Sequence, residues 1–348
     1  MFRVSEKKYM KNKKLQICNA LIQPGEQANF ALPMPEQYSC APMFMPIRVV
    51  HGKSEGPCLL IFSTLNGNEL NGIEIVNRVV DSLSAEQING TIIAVPVVNV
   101  YGLTHYPRPL PGGGSVAASF PGSRTGTYGE RLADIFTQEI LKKADYCIEL
   151  QTGGPNHNIL PQVYCNFDNR DVRGLAKAFC SPVVTNVTLE GNKLRQTTED
   201  LGIPLIVYQG GEAMRFDENA ITVGFNGIKN SMRYLKMLNE PRGQDAHPIF
   251  SQEENWIIAH AGGILHTDTS LGQIIKKGEK LGRLSDPFGT DDSLVVKSPR
   301  DGIIVGINTT PLIHEGLPLF KVASFLDDKR AENAIEKWNQ RQDEDFLS

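Results

Sequence analysis

Pro57-Cys-Leu-Leu-Ile-Phe62 and the segment Asn66-Gly-Asn-Glu69 that follows it contain the pattern that decides the fold class. The first is a continuous apolar run with the length of a buried strand, and the second is a polar turn of Asn and Gly. Apolar residues then recur at helical spacing, at Ile73, Ile75, Val76, Val79 and Val80. A strand, a loop and a helix in this order indicate an α/β protein.

The same alternation of apolar strands and helical patterns extends to Leu238. It predicts a helix over 128–143 and strands over 57–62, 91–98, 146–150 and 203–208. Three of these strands end in Gly-containing loops, and open α/β sheets place their sites at the carboxyl ends of strands. The long polar segment 99–127 is predicted to be a functional loop.

The sequence pattern changes near Pro241, which predicts a second type of architecture. Short strand-like stretches separated by Gly follow it, which indicates a small all-β module. Four parts are therefore expected: an N-terminal extension with a β segment, an α/β domain, the β module and a charged tail, at 1–46, 47–239, 240–326 and 327–348.

Composition excludes several classes of protein. The 348 residues are 41% hydrophobic and 21% charged with a net charge of -4, so there is no basic field to hold nucleic acid or an anionic membrane. The sequence has no apolar run long enough to span a bilayer and no signal-peptide core, and we expect a cytoplasmic protein. Six dispersed cysteines without a Cys-x-x-Cys pair predict neither a zinc knuckle nor a disulfide framework.

General catalytic motifs do not identify a reaction. The sequence has no His-Glu-x-x-His, no Gly-x-Ser-x-Gly and no Walker loop. The polar residues at the strand ends, among them Glu69, Gln151 and Gln209, are equally consistent with turn formation and helix capping.

Asn66-Gly-Asn-Glu69-Leu-Asn-Gly resembles the His-Gly-Asp-Glu-x-Asn-Gly segment of the succinylglutamate desuccinylase/aspartoacylase family, which is related to zinc carboxypeptidases. Other segments similar to this family follow in family order, at 94–102, 119–122, 149–153, 160–162, 208–218, 286–289 and 298–302. The resemblance implies a zinc-carboxypeptidase-like mixed sheet flanked by helices, followed by a C-terminal all-β barrel-sandwich module.

The resemblance also implies a zinc site, whose three ligand positions match Asn66, Glu69 and Gln151. The family has His at the first and third positions, so only Glu69 is unchanged. Amide oxygens are neutral, hard and weak donors that suit calcium better than zinc. We therefore expect the two substitutions to abolish tight zinc binding.

The other family positions are substituted as well. The general base of the family matches Gln209, and an amide cannot accept a proton at neutral pH. The substrate-binding Asp-Leu-Asn-Arg segment matches Ser115-Val116-Ala117-Ala118, which lacks the Arg that clamps a carboxylate. Arg108 is expected to position substrate or stabilise an oxyanion, and Glu212 to contact a charged ligand.

Two functional hypotheses follow. The first is a catalytically silent member of the family, a pseudoenzyme that binds a small amino-acid-like ligand or has a regulatory role. The alternative is a metal-dependent amidohydrolase that cleaves an N-acyl amino acid or a related amide through a remodelled site, with His105 and His157 as relocated ligands beside Glu69. Both exclude nucleic-acid and membrane partners, and both leave open a homo-oligomer.

Overall fold

The computed structural model describes residues 12–35, 42–188, 191–239, 248–289, 293–325 and the three positions 335, 336 and 338. Most of the predicted tail 327–348 and the predicted boundary at 239/240 lie outside the described residues. In the part of the chain that the structure describes, no helix combines the length and apolarity needed to cross a membrane.

Six α-helices and two short 3-10 helices alternate with strands in the described chain. The α-helices are α1 Leu70–Asp81, α2 Val100–His105, α3 Tyr128–Glu139, α4 Arg170–Phe179, α5 Lys193–Asp200 and α6 Glu218–Tyr234, and the 3-10 helices are Ala117–Ser119 and Leu141–Lys143. The strands up to α6 are β1 Leu15–Ile17, β2 Ala20–Ile22, β3 Glu26–Pro33, β4 Phe44–His51, β5 Ser54–Ser63, β6 Asn89–Val95, β7 Tyr146–Gln151, β8 His157–Cys165, β9 Val183–Asn186 and β10 Leu205–Gly211. Those after α6 are β11 Ile249–Ile258, β12 Gly263–Thr267, β13 Ile274–Ile275, β14 Lys280–Ser285, β15 Leu294–Lys297, β16 Gly302–Asn308, β17 Leu312–Ile313 and β18 Pro318–Phe325.

A mixed sheet of 12 strands forms the centre of the molecule, in the order β13-β16-β18-β11-β9-β8-β10-β7-β5-β6-β4-β3. Its middle strands β6, β5, β7 and β10 are parallel, and β8 joins β10 antiparallel. The carboxyl ends of β5, β7 and β10 therefore lie at one edge, as the apolar runs of the sequence predict. This arrangement confirms the predicted α/β class in its general form, a mixed α/β fold.

Two apolar cores cover the two faces of this sheet. One includes Phe62 and Phe136 and lies on the side of α3, and the other includes Ile75 and Phe179 and lies on the side of α1, α4 and α6. Helix α3 begins with a capping box, in which the Thr127 hydroxyl accepts from the Glu130 N–H and the Glu130 carboxylate accepts from the Thr127 N–H. The sequence predicts this helix, but it does not predict α2, which lies inside the predicted loop 99–127.

The C-terminal β module is joined to the α/β part through the main sheet. Strand β11 pairs parallel with β9, and β16 pairs antiparallel with β8. The remaining module strands form a separate four-stranded sheet in the order β15-β14-β12-β17. Because β8 also neighbours β10, the module strands lie close to the carboxyl ends that carry the predicted site.

Candidate functional site

Glu69 lies in the turn between β5 and α1 and is buried, with 3% of its surface exposed. The Asn66 side-chain Nδ2 donates to Glu69 Oε1 at 2.8 Å, and the Asn66 backbone N–H donates to Glu69 Oε2 at 3.2 Å. The turn is tight because Gly67 has φ +83° and packs on Gly102 of α2. Glu69 is thus held against the end of β5 by the residue at the first predicted ligand position.

A second carboxylate–amide pair lies on the neighbouring strand β7. Phe62 of β5 pairs with Glu149 of β7, and Gln151 lies two residues further along the same face. The Gln151 Nε2 donates to Glu149 Oε1 at 2.6 Å, and Glu149 is 2% exposed. Each of the two positions predicted to lack imidazole therefore holds an amide that donates to a buried carboxylate.

Burial perturbs both carboxylates, and the charge of Glu149 adds to the effect on Glu69. The pKa of Glu69 rises to about 7, first because of burial and then because of the charge of Glu149, while the hydrogen bonds from Asn66 oppose the rise. Burial also raises the pKa of Glu149, against the Gln151 hydrogen bond and the positive charge of Arg195 on α5. Burial lowers the pKa of Arg195 itself, which the Glu149 charge opposes. The site is thus a buried acidic pair with one nearby guanidinium.

Gln209 stands beside Gln151, because β10 pairs with β7 at this level. Its Nε2 donates to the Thr152 carbonyl at 3.0 Å, and its Oε1 accepts from the Tyr164 hydroxyl at 3.2 Å. Gln209 is half-buried. Asn66, Glu69, Gln151 and Gln209 therefore come together at one edge of the sheet.

The predicted substrate-binding residues lie further out on the loops. Arg108 is exposed, and Ser115 Oγ accepts from the Ala118 N–H at 3.2 Å to begin the 3-10 turn that contains Ala117. This turn packs against α5, the helix that carries Arg195. The segment that lacks the predicted Arg therefore adjoins the helix that carries Arg195.

Glu212 is 8% exposed and is held by two residues on opposite sides. The Thr309 hydroxyl of the β module donates to its Oε2 at 3.1 Å, and Arg215 Nε lies 3.5 Å from its Oε1. The Thr309 hydrogen bond connects the loop after β10 to the module, and the Arg215 pair lies within the loop. The predicted contact of Glu212 with a charged ligand stays a prediction.

Comparison with known proteins identifies the family. The model of the succinylglutamate desuccinylase/aspartoacylase catalytic domain matches residues 55–235, which is more than half of the chain. The chain belongs to the succinylglutamate desuccinylase/aspartoacylase family. The predicted resemblance is confirmed, and the matched range contains Glu69, Glu149, Gln151 and Gln209.

Individual relatives of this family cover most of the chain. N-alpha-acetyl-L-2,4-diaminobutyric acid deacetylase of Halomonas elongata is 24% identical over 299 residues, 82% of this chain and 87% of that protein. The product-bound structure of the ectoine utilization protein EutE (DoeB) from Ruegeria pomeroyi has a TM-score of 0.76 at 20% identity, covering 85% of this chain and 95% of that one. A succinylglutamate desuccinylase/aspartoacylase structure from Rhodobacter sphaeroides has a TM-score of 0.77 at 21% identity, covering 87% and 96%. The two structures establish the common fold.

The donors at the positions that we match to the family's zinc ligands do not fit a zinc ion. Glu69 is the one carboxylate among the three matched positions, and the Asn66 and Gln151 amides present N–H groups to the two carboxylates. Zinc sites use thiolate, imidazole and carboxylate donors. Within the described residues no group of three His, Cys, Asp or Glu side chains is placed to hold a metal.

The two histidines proposed as relocated ligands have other partners. His105 stacks on Tyr101 with ring centroids 4.2 Å apart, and its Nδ1 lies 3.1 Å from the Tyr101 carbonyl oxygen. The His157 ring packs against Trp256 of the β module at 4.9 Å, and burial lowers its pKa. The structure does not bring them together with Glu69, and a relocated metal site stays a prediction.

Sequence reasoning missed three residues that the structure places around the predicted site residues. Glu149 could have been found, because a strand places every second side chain on one face and Glu149 precedes Gln151 by two. Arg195 and Tyr164 gave no local signal, since each reaches the site from an element whose packing the sequence does not reveal.

Proposed function

We propose that this chain is an amide hydrolase that cleaves an N-acyl amino acid or a related amide at the site formed by Asn66, Glu69, Gln151 and Gln209. The observation that carries the proposal is the retained Glu69, buried beside Glu149 at the carboxyl ends of β5 and β7 and covered on the outer side by the exposed Asn66. The named Halomonas relative is a deacetylase, which supports this hydrolase better than the catalytically silent protein that the substituted positions suggest.

The reaction uses groups that the chain itself provides. The Asn66 side chain swings away from Glu69, a water molecule takes its place, and the Glu69 carboxylate accepts the proton as the water oxygen attacks the amide carbonyl. Side-chain N–H groups of Asn66 and Gln151 are the donors available for the negative oxygen that develops. The C–N bond then breaks, the proton passes to the leaving amine, and an acid and an amine are released.

The proposed ligand is small and resembles an amino acid, with a carboxylate that matches the positive charge near Glu149. The charge of Arg195 acts on Glu149, and Arg108 is exposed on the loop after α2. A guanidinium recognises a carboxylate through parallel N–H donors. A free carboxylate on the substrate would therefore be drawn to this edge of the sheet.

A second candidate function is binding without turnover, and a specific observation favours it. Gln209 occupies the family's general-base position, and both of its polar ends are already engaged, by Thr152 and by Tyr164. An amide in this place holds a ligand by hydrogen bonds but takes no proton. A protein that binds the same N-acyl amino acids and releases no amine would fit this description.

Release of free amine from a panel of N-acetyl and N-succinyl amino acids tests the proposal. The purified protein is assayed after chelation and again with added zinc, beside Glu69→Gln and the matched control Glu74→Gln, whose carboxylate pairs with Arg78 on the same helix. We expect turnover that Glu69→Gln lowers by about 10²-fold or more and Glu74→Gln leaves unchanged. Ligand binding by calorimetry without amine release from any panel member contradicts the hydrolase and favours the binder.

A further inference from the structure

The Tyr164 hydroxyl on β8 is a meeting point for side chains from both parts of the chain. From the α/β part, Gln162 Nε2 lies 2.7 Å away and Gln209 Oε1 lies 3.2 Å away. From the β module, Lys321 Nζ on β18 lies 2.9 Å away and Glu254 Oε2 on β11 lies 3.1 Å away. A single hydroxyl thus links the module to the amide at the family's general-base position.

The hydroxyl has one proton to give and two partners that can accept it. Gln162 Nε2 and Lys321 Nζ are donors and direct their protons to the Tyr164 oxygen. The remaining proton of Tyr164 is available to either Gln209 Oε1 or Glu254 Oε2. Burial, followed by the charge of Glu254, raises the pKa of Tyr164 well above its ordinary value, so the hydroxyl keeps this proton.

Lys321 influences which acceptor receives the proton. Its ammonium forms an ion pair with Glu254, and the exposed fractions of the two side chains are 15% and 4%. The Thr185 hydroxyl donates to the other carboxylate oxygen of Glu254. Lys321 and Thr185 supply donors to Glu254 and so weaken its competition for the Tyr164 proton, which leaves Gln209 Oε1 as the alternative acceptor at 3.2 Å.

We infer that Tyr164 is a positioning residue that holds the Gln209 amide in its orientation, and that Lys321 and Glu254 of the β module set the direction in which the Tyr164 hydroxyl donates. The inference rests on the proposed function in one respect, which is that Gln209 lines the substrate site. The Gln209 amide is fixed from both ends, by Tyr164 at Oε1 and by the Thr152 carbonyl at Nε2, so rotation of the amide would place like groups together at both ends. The module thereby becomes part of the site.

The two module residues have opposite predicted effects on Gln209. Lys321→Met leaves the Glu254 charge without its counterion, and the carboxylate then draws the Tyr164 proton away from Gln209. Glu254→Gln removes the competing charge, and the proton stays with Gln209. Tyr164→Phe removes the donor directly and keeps the ring, so it tests the link even if the Lys321 variant fails to fold.

The side-chain amide protons of Gln209 report on this link without any need for activity. Their resonances in a ¹H–¹⁵N spectrum of the full chain are identified by their loss in Gln209→Glu, and their exchange with water is measured. We expect exchange roughly 3- to 10-fold faster in Tyr164→Phe and Lys321→Met, the effect of one neutral hydrogen bond, and no acceleration in Glu254→Gln. Lys280→Met, which removes an exposed module ion pair with Asp268, is the matched control and should leave exchange unchanged.

Unchanged exchange in Tyr164→Phe would overturn the inference, and so would equal acceleration in Tyr164→Phe and Glu254→Gln, which would indicate general loosening of the interface. The proposed function fails by a separate result, the absence of amine release from the wild-type protein. If amine is released, Tyr164→Phe should in addition lower kcat with little change in KM, because the carboxylate pair that faces substrate is intact.

Discussion

Replacement of Glu69 by Gln tests whether the buried carboxylate pair is real. The pKa of this carboxyl rises from its ordinary value of 4.5 to about 7, mainly through burial, so the folded state favours the protonated form. The corresponding stabilisation is fully present below pH 4.5 and is lost as the pH rises through about 7. At 1.36 kcal/mol for each pH unit this amounts to about 3 kcal/mol, an upper value because unfolded chains retain some structure. The Gln side chain of the Glu69→Gln variant cannot ionise, so the free energy of unfolding of this variant should not fall by this amount.

Urea unfolding between pH 5 and pH 8 measures the difference between the wild-type protein and the Glu69→Gln variant. We expect the free energy of unfolding of Glu69→Gln to rise relative to that of the wild type by about 2 to 3 kcal/mol across this range, because titrating groups outside the Glu69–Glu149 pair contribute equally to both proteins. Glu74→Gln, on helix α1 directly after the Glu69 turn and half-exposed, controls for loss of a carboxylate as such. Parallel pH profiles for the wild type and Glu69→Gln would refute the reasoning and show that Glu69 is ionised in an ordinary environment.

Three further predictions concern the neighbouring structure. Restoring the family residues together, as Asn66→His, Gln151→His and Gln209→Glu, should create zinc binding in a calorimetric titration, whereas Asn66→His alone should not; no binding by the triple variant would show that the pocket itself has been remodelled. Gly67→Ala should destabilise the protein by more than about 2 kcal/mol in urea, because φ is +83° and the added Cβ would lie 2.3 Å from the Gly102 backbone, while Gly113→Ala, at φ +80° in open space, should cost only about 1 kcal/mol. Lys321→Met should cost about 3 to 5 kcal/mol by leaving the buried Glu254 unpaired, and the double variant Lys321→Met/Glu254→Gln should recover part of this loss; additive losses would contradict the ion pair.

The part of the site that the sequence predicts depends on neighbouring parallel strands. The apolar run at 57–62 and the run at 146–150 both lead into Gly-containing turns, and adjacency of β5 and β7 then brings Glu69 near Gln151. The observed strands extend slightly beyond the predicted ones, to Ser54–Ser63 and Tyr146–Gln151, because pairing continues at their ends. The helix over 128–143 is observed as α3 and a 3-10 turn, since the chain departs from α-helical dihedrals at Ile140.

The rest of the site depends on packing between residues that are distant in sequence. Tyr164 and Lys321 are separated by 157 positions, and their contact exists because β16 and β11 of the module pair with β8 and β9. Amphipathic spacing indicates which face of an element carries such a side chain, but it does not indicate which residue that side chain contacts. The same holds for Arg195, whose role follows from the packing of α5 on the turn at 117–119.

The predicted function also changes once contacts between distant residues are known. Compared with the matching family residues, Asn66, Gln151 and Gln209 lack the zinc-binding and proton-accepting groups. This comparison predicts a catalytically silent protein. In the structure two of these amides bind buried carboxylates, and the third is fixed between Thr152 and Tyr164. All three amides therefore have ordered partners in the site, in keeping with the amide hydrolase that we propose.

Zinc titration of the chelator-treated wild-type protein by calorimetry, near pH 7.5, tests the central claim most directly. The account predicts no stoichiometric binding, because Asn66 and Gln151, which we match to the two imidazole positions, carry amides that donate to Glu69 and Glu149. One tightly bound zinc per chain that is lost in Glu69→Gln and retained in Glu74→Gln would contradict it.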